Sequence, residues 1–195
     1  MSPSIIPLRP RLTIIRRWDA NSKKMSTSCP TGTPANTKEE IAAIKDGIEE
    51  AAKDAEIDHR FILAIIMQES GGCVRVKTTY SPAPDNIRNP GLMQDFNGEH
   101  TCNDPTKGTP MQSPCVDTTV KGMITDGAGV TNEGGLKQAI AKSNASDDSK
   151  YYKAARIYNS GSIDPSGNLG KGVATHCYVS DVASRLTGWV SAESL

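Results

Sequence analysis

Glu69 is the side chain whose position in the sequence best suits acid–base chemistry. It ends a segment that contains seven consecutive apolar residues, 61–67. In a helix, apolar neighbours disfavour the ionised carboxylate, and the negative end of the helix dipole acts in the same direction. Both effects raise the pKa of the carboxyl group, which a general acid near neutral pH requires. The alternative is that Glu69 only marks the point where the helix reaches solvent.

Two later segments carry further polar groups that suit a binding site. Residues 89–94 read Asn-Pro-Gly-Leu-Met-Gln, and residues 158–161 read Tyr-Asn-Ser-Gly. Taken singly, the first is also compatible with a turn into a core strand. The second is also compatible with the C-terminal cap of a helix.

Together these segments resemble the lytic transglycosylase and goose-type lysozyme superfamily, glycoside hydrolase family 23. The shared order is Glu-Ser, then Gly-Leu-Met-Gln, then Tyr-Asn-x-Gly, over about residues 58–189. The run Glu-Ser-Gly-Gly-Cys at residues 69–73 is similar to secreted fungal members. The resemblance implies a lysozyme-like fold that cleaves β-1,4 bonds in an N-acetylhexosamine polymer, with bacterial peptidoglycan as the first choice.

The resemblance also implies roles for individual residues. Glu69 would protonate the glycosidic oxygen, and Ser70 would help to orient the site or the sugar. The cleft wall would be formed by Gly91, Leu92, Met93 and Gln94. Gly91 would let the backbone approach a sugar closely, and Gln94 would offer hydrogen-bond donors and an acceptor. Tyr158 and Asn159 would close the cleft near Glu69, with the Tyr158 hydroxyl bonded to that carboxyl or to the acyl amide of the substrate. Among the aromatic residues, Tyr80 and Phe96 are the expected sugar contacts.

A second carboxylate decides the type of reaction. Glycosidases normally use two, about 6.5–9.5 Å apart in inverting enzymes and about 5–5.5 Å apart in retaining ones. Goose-type lysozymes, which the chain resembles, have one aspartate shortly before Gly-Leu-Met-Gln and another just after it. Asp85 matches the first position, whereas Asp95 lies one residue early for the second. Asp85 is therefore the first candidate for the base and Asp95 the second, although either is also compatible with a solvated loop residue. The Ser-Pro-Ala-Pro run before Asp85 departs from the goose-type loop.

Several functions stay open at this point. Lytic transglycosylases need one glutamate and let the N-acetyl and 6-hydroxyl groups of the substrate complete the reaction, which leaves an anhydro product. We favour hydrolysis through Glu69 and Asp85 over this route. An enzyme of the same fold acting on chitin or chitosan is a further alternative, as is a carbohydrate-binding effector without catalysis. No metal or organic cofactor is implied.

The elements that must position these residues are predominantly helical. A capping box at Thr37 and Glu40 opens one helix, and Asp58 caps the apolar segment, which we expect to be a central buried helix ending at Gly71-Gly72. Residues 73–115 predict a long loop region with a small hairpin. Weaker patterns predict helices over about residues 116–126, 135–142 and 148–158, and after residue 178. The fold class is therefore α+β, dominated by helices.

Composition limits the setting in which the protein works. Lys plus Arg equals Asp plus Glu at 22 each, so a large basic surface for nucleic acid is not indicated. No apolar run is long enough for a membrane helix. We expect a monomer, with residues 1–36 as a disordered or processed N-terminal extension and residues 37–195 as the catalytic domain.

The five cysteines indicate disulfides rather than a zinc site, because no Cys-x-x-Cys pair exists and the three histidines are scattered. Cys102 and Cys115 enclose a short loop and are the expected pair. The partners of Cys29, Cys73 and Cys177 stay open. Together with the resemblance, this cysteine usage predicts a secreted, extracellular protein, although residues 1–28 show no clear signal peptide.

Overall fold

The computed structural model describes residues 14–188, with side chains from residue 18 onward. The chain termini, residues 1–13 and 189–195, lie outside this range. Within it the fold is mostly helical, as the sequence predicts. The helices are α1 (Ile14–Met25), α2 (Lys38–Ala55), α3 (His59–Glu69), α4 (Asp117–Ala128), α5 (Leu136–Lys142), α6 (Ser149–Ser160) and α7 (Tyr178–Leu186). None of the helices in this range is both long and apolar enough to cross a membrane.

Helix α3 lies at the centre of the core, because it is apolar on every face. Its residues 61–67 are all buried. Asp58 caps it by accepting a hydrogen bond from the Arg60 amide at 2.8 Å. Helices α2 and α7 both pack against α3. The prediction of a central buried helix is therefore confirmed.

Helix α2 begins as the sequence predicts and packs closely on α4. The Thr37 hydroxyl accepts from the Glu40 amide, and the Glu40 carboxylate accepts from the Thr37 amide, at 3.2 and 2.7 Å. A Cβ added at Gly47 would lie 2.9 Å from Cδ1 of Ile124. The missing side chain therefore lets the two helices approach.

The long segment between α3 and α4 contains the small hairpin that the sequence predicts. Strands β1 (Thr79–Tyr80) and β2 (Arg88–Asn89) pair antiparallel, with Thr79 opposite Asn89. A short 3₁₀ helix, Pro105–Lys107, follows. The segment is held by charge as well as by backbone pairing, because Arg75 forms a buried ion pair with Glu40 on α2.

Two disulfides also hold this segment. Cys102 and Cys115 are bonded, as the sequence predicts. Cys29 is bonded to Cys73, which assigns two of the three cysteines that stayed open, and Cys177 is free and exposed.

The structure contradicts the predicted N-terminal extension for residues 14–36. Residues 14–25 form α1, and Met25 at its end is fully buried. The Asn36 carboxamide donates to the carbonyls of Met25 and Gly72 at 3.0 and 2.7 Å. These contacts and the Cys29–Cys73 disulfide join the segment to the domain. Pro and Ser/Thr content misled the sequence prediction because the contacts that order the segment are long-range.

Candidate active site

Glu69 lies at the last residue of α3, where the buried helix ends. Its Oε1 accepts a hydrogen bond from the Tyr178 hydroxyl at 2.5 Å. Burial raises the pKa of the carboxyl group to about 7, and the Tyr178 bond opposes part of that rise. The residue still keeps some exposed surface. The site therefore offers a carboxylic acid that can hold a proton near neutral pH.

Tyr178 is the residue of the candidate site that the sequence did not reveal. It is the first residue of α7 and is 2% exposed. Burial and the nearby Glu69 charge raise its pKa well above the ordinary value, so its hydroxyl stays a donor. The only signal in the sequence was a tyrosine at the start of an amphipathic helix, which is common in structural positions.

A cleft of about 760 Å³ is lined in part by Tyr158, whose pKa the Glu69 charge helps to raise. Its walls come from the β-hairpin region, the turn before α5 and the end of α6. The lining residues include Asp85, Gln94, Phe96, Asn132, Tyr158 and Asn159. Glu69 does not line this volume itself, but Tyr158 does, and the Glu69 charge helps to raise the Tyr158 pKa. The acid is thus a close neighbour of the cleft wall.

Tyr158 joins the end of α6 to the Gly-Leu-Met-Gln segment. Its hydroxyl donates to the backbone carbonyl of Met93 at 2.9 Å. Burial, followed by the charges of Asp95 and Glu69, raises the pKa of Tyr158 well above its ordinary value. The structure therefore brings the three predicted segments together, but the bond to Glu69 comes from Tyr178 rather than from Tyr158.

Three of the four residues in Gly-Leu-Met-Gln are buried rather than displayed in the cleft. Leu92 and Met93 are both fully buried core side chains. Gly91 has φ 70°, and a Cβ there would lie 2.7 Å from Cγ of Met123. None of these three residues lines the cleft, contrary to expectation. Leu92 and Met93 lie in the core, and Gly91 leaves room for Met123 of helix α4.

Gln94 does line the cleft, but its carboxamide is already engaged. Its Oε1 accepts from the Thr79 hydroxyl at 2.8 Å, and its Nε2 donates to the Gly91 carbonyl at 3.1 Å. Gln94 therefore shapes the wall and ties it to strand β1. Its donors and acceptor are therefore not free for a ligand, in contrast to the expectation from the sequence.

The two candidate bases differ sharply in exposure. Asp85 is exposed and lines the cleft. Asp95 is 1% exposed. Its Oδ2 accepts a hydrogen bond from the side-chain Nδ2 of Asn132 at 3.3 Å, and its Oδ1 has no hydrogen-bond partner among the described residues. Burial, followed by the charge of Asp126, raises the pKa of Asp95 to about 7. Because a base must touch the attacking water, this burial removes Asp95 from the candidates.

Of the remaining predicted residues, Phe96 and Asn159 line the cleft, whereas Ser70 and Tyr80 do not. The Ser70 hydroxyl donates to the Ile66 carbonyl at 3.0 Å and accepts from the Gly72 amide at 3.1 Å, so it caps α3. Tyr80 donates to Asp104 at 3.4 Å and does not line the cleft, unlike Phe96, which is 48% exposed there. Asn159 lines the cleft as predicted.

Over residues 14–188, no group of three or more His, Cys, Asp or Glu side chains is placed to hold a metal ion. Comparison with protein-family models, with curated proteins and with solved structures finds no match to this chain. The family that the motif order resembles therefore stays a prediction.

Proposed function

We propose that the protein cleaves β-1,4 glycosidic bonds in a polymer of N-acetylhexosamines, with bacterial peptidoglycan as the first substrate. The observation that carries this proposal is the protonatable Glu69 carboxyl, which Tyr178 holds in place and whose charge acts on Tyr158, a residue that lines a cleft of about 760 Å³. Protonation of the glycosidic oxygen by such an acid is the step that glycoside cleavage requires.

The cleft fits a carbohydrate in size and surface. Its volume falls in the range of about 300–1,000 Å³ that is usual for small-molecule sites. Phe96 offers a half-exposed aromatic ring on one wall, and Asp85 and Asn159 offer polar groups on others. A ring that stacks on a sugar and a few polar groups that fix its orientation are what recognition of a saccharide needs.

In the hydrolytic route, Glu69 donates its proton to the leaving oxygen. Asp85, exposed at the cleft, accepts a proton from the attacking water. Tyr178 keeps the Glu69 carboxyl in one orientation and stabilises the carboxylate that forms after proton transfer. Asp85 then releases its proton to solvent water and Glu69 takes one up from solvent, which returns both carboxyl groups to their starting forms.

One observation argues against a retaining pair of carboxylates, which leaves the transglycosylase route as a second candidate. Burial and the Tyr178 bond are the causes of the Glu69 pKa shift, and no carboxylate contributes to it. A retaining pair about 5–5.5 Å apart would raise that pKa by like-charge repulsion. The arrangement thus suits either an inverting pair with Asp85 or a single acid assisted by the substrate.

Mass spectrometry of purified peptidoglycan digests tests the proposal. Muropeptides with reducing ends support hydrolysis, and anhydro ends support the transglycosylase route. The matched control is Glu69→Gln, which keeps the side-chain shape and removes the acid. Products that persist with Glu69→Gln, or no products from peptidoglycan, chitin or chitosan, contradict the proposal.

We also propose that the protein acts outside the cell. The support is the pair of disulfides, Cys29–Cys73 and Cys102–Cys115, since such bonds persist mainly in oxidising compartments.

A further inference from the structure

Arg156 is a fully buried cation that binds two parts of the chain at the edge of the cleft. Its Nε donates to the Leu169 carbonyl at 2.9 Å, and its Nη2 donates to the Thr175 and His176 carbonyls at 2.9 and 3.2 Å. Its Nη1 donates to Asn159 Oδ1 at 3.0 Å and to Ser160 Oγ at 2.8 Å. All these acceptors are neutral groups. The hydrogen bonds of the guanidinium therefore hold the two chain segments in position without forming an ion pair with any of these acceptors.

The bond from Arg156 fixes which end of the Asn159 carboxamide faces the cleft. A guanidinium carries donors and no acceptor, so the Asn159 oxygen must point toward it. The Ser160 hydroxyl also donates to this oxygen, at 3.3 Å. In the part of the chain that the structure describes, no acceptor is bonded to Asn159 Nδ2. Because Asn159 lines the cleft, its free N–H group is available to a ligand there.

The side-chain amide of each other Asn or Gln residue that lines the cleft already bonds at least one acceptor. Gln94 Nε2 is bonded to the Gly91 carbonyl, and Asn132 Nδ2 is bonded to the Phe96 carbonyl at 2.5 Å. Gln138 Nε2 donates to the Gly129 carbonyl at 3.1 Å. Asn159 Nδ2 differs from these amides because it bonds no acceptor among the described residues, so both of its N–H groups are available to a ligand.

The same guanidinium also positions the loop that forms one rim of the cleft. The carbonyls that it binds lie within residues 169–176, and Val173 and Ala174 of this loop line the cleft. Gly172 packs on the guanidinium, since a Cβ there would lie 2.6 Å from Nη1. Arg156 therefore couples the orientation of Asn159 to the position of this loop.

We propose that Arg156 is a positioning residue that makes Asn159 a hydrogen-bond donor for a substrate carbonyl, and that this donor selects acetylated over deacetylated sugars. An acetamido group offers a carbonyl oxygen that the free amine of a deacetylated sugar lacks. A site built to hydrogen-bond one group of its substrate discriminates against a ligand that lacks that group. This inference rests on the proposed function and names the substrate group that the cleft recognises.

Asn159→Asp tests the donor itself. The aspartate keeps an oxygen for Arg156 and replaces the free N–H group by a second acceptor. In a Glu69→Gln background, which prevents turnover, we expect the Kd for a β-1,4-linked N-acetylglucosamine hexamer to rise at least tenfold. The Kd for the glucosamine hexamer should change less than threefold. If Glu69→Gln binds the acetylated hexamer with the same affinity with and without Asn159→Asp, the inference is overturned.

Arg156→Lys tests the positioning role, because lysine keeps the charge but not the fork of donors. We expect KM for peptidoglycan to rise at least fivefold, with kcat reduced less than threefold and the alkaline limb of the pH profile unmoved. Lys153→Gln, which removes a positive charge from the same helix, is the control and should leave both constants unchanged. An unchanged KM, or a loss confined to kcat, overturns the inference.

Hydrogen exchange separates this inference from the proposed function. In Arg156→Lys, the hydrogen-bonded amides of Gly170 and Lys171 in this loop should exchange at least tenfold faster, while those of α2 should keep their rates. Absence of any cleavage by the parent protein rejects the proposed function and leaves this measurement intact. Equal exchange of the loop in both proteins rejects the positioning role of Arg156.

Discussion

The Tyr178 hydroxyl and the Glu69 carboxyl form a 2.5 Å hydrogen bond that joins the end of α3 to the beginning of α7. The bond links residues 109 positions apart in the chain. It holds a desolvated acid in one orientation, and it also limits how far burial raises the pKa of that acid. The properties of the candidate acid therefore depend on two helices that pack together in the core.

Glu69→Gln should abolish most glycoside cleavage while the fold is kept. Loss of a positioned general acid costs about 10²–10⁴-fold in rate. Glutamine can still accept the Tyr178 hydrogen bond, so far-UV circular dichroism and the melting temperature should match the parent protein. Release of soluble fragments from peptidoglycan is the measurement. A Glu69→Gln protein within threefold of parent activity would show that Glu69 is structural.

Tyr178→Phe should move the alkaline limb of the activity profile to higher pH. Removal of the Tyr178 bond deletes an interaction that lowers the Glu69 pKa, so that pKa rises further. The acid then stays protonated at higher pH. A hydrogen bond to a charged group contributes about 1.5–3 kcal/mol, and one pKa unit corresponds to about 1.4 kcal/mol, so we expect a shift of about one to two pH units. The measurement is kcat/KM between pH 5 and 9, and Tyr152→Phe on α6 is the control. A limb that stays in place or moves toward acid contradicts this account.

Asp95→Asn should stabilise the fold near neutral pH and have little effect in acid. The pKa of Asp95 is raised from its ordinary value to about 7 in the folded protein. The folded state thus keeps a proton that the unfolded chain releases, and the free energy of unfolding falls as pH rises from about 4 to 7. This loss is at most about 4 kcal/mol, since one pKa unit corresponds to about 1.4 kcal/mol. Asparagine carries no charge and removes that loss.

Urea denaturation at pH 4.5 and at pH 8 measures this effect. The difference in unfolding free energy between the two pH values should be smaller for Asp95→Asn than for the parent. Asp85→Asn serves as the control, because Asp85 is exposed. If the unfolding free energy falls by the same amount between these pH values in the parent and in Asp95→Asn, then Asp95 does not cause the fall and its pKa is not raised in the folded protein.

The sequence predicted the elements whose signals are local. The capping box of α2 and the apolar run of α3 rely on neighbours within a few residues, and both appear in the structure. Cys102 and Cys115 were paired correctly because only a short loop separates them. The shift of the Glu69 pKa was predicted in direction because the apolar helix that buries it is visible in the sequence.

Long-range contacts account for what the sequence did not predict. The hydroxyl that binds Glu69 and the cysteine that pairs with Cys29 are fixed by packing across the domain. Leu92 and Met93 were predicted to line the cleft because Gly-Leu-Met-Gln resembles a motif of the lysozyme superfamily. Their apolar side chains lie in the core instead. A motif gives the position of a backbone segment; which of its side chains face the cleft is decided by the elements packed behind it.

Arg75→Met should destabilise the fold because the long segment between α3 and α4 depends on the buried Arg75–Glu40 pair. Glu40 also accepts hydrogen bonds from the amides of Thr37 and Cys115, at 2.7 Å each. Breaking a buried ion pair from one side costs about 3–5 kcal/mol, because the remaining charge is left without compensation. The double variant Arg75→Met with Glu40→Gln removes that charge and keeps one acceptor oxygen, which serves either the Thr37 or the Cys115 amide. It should therefore recover part of the loss in urea denaturation, whereas a double variant less stable than the single one would show that Glu40 contributes mainly through its charge.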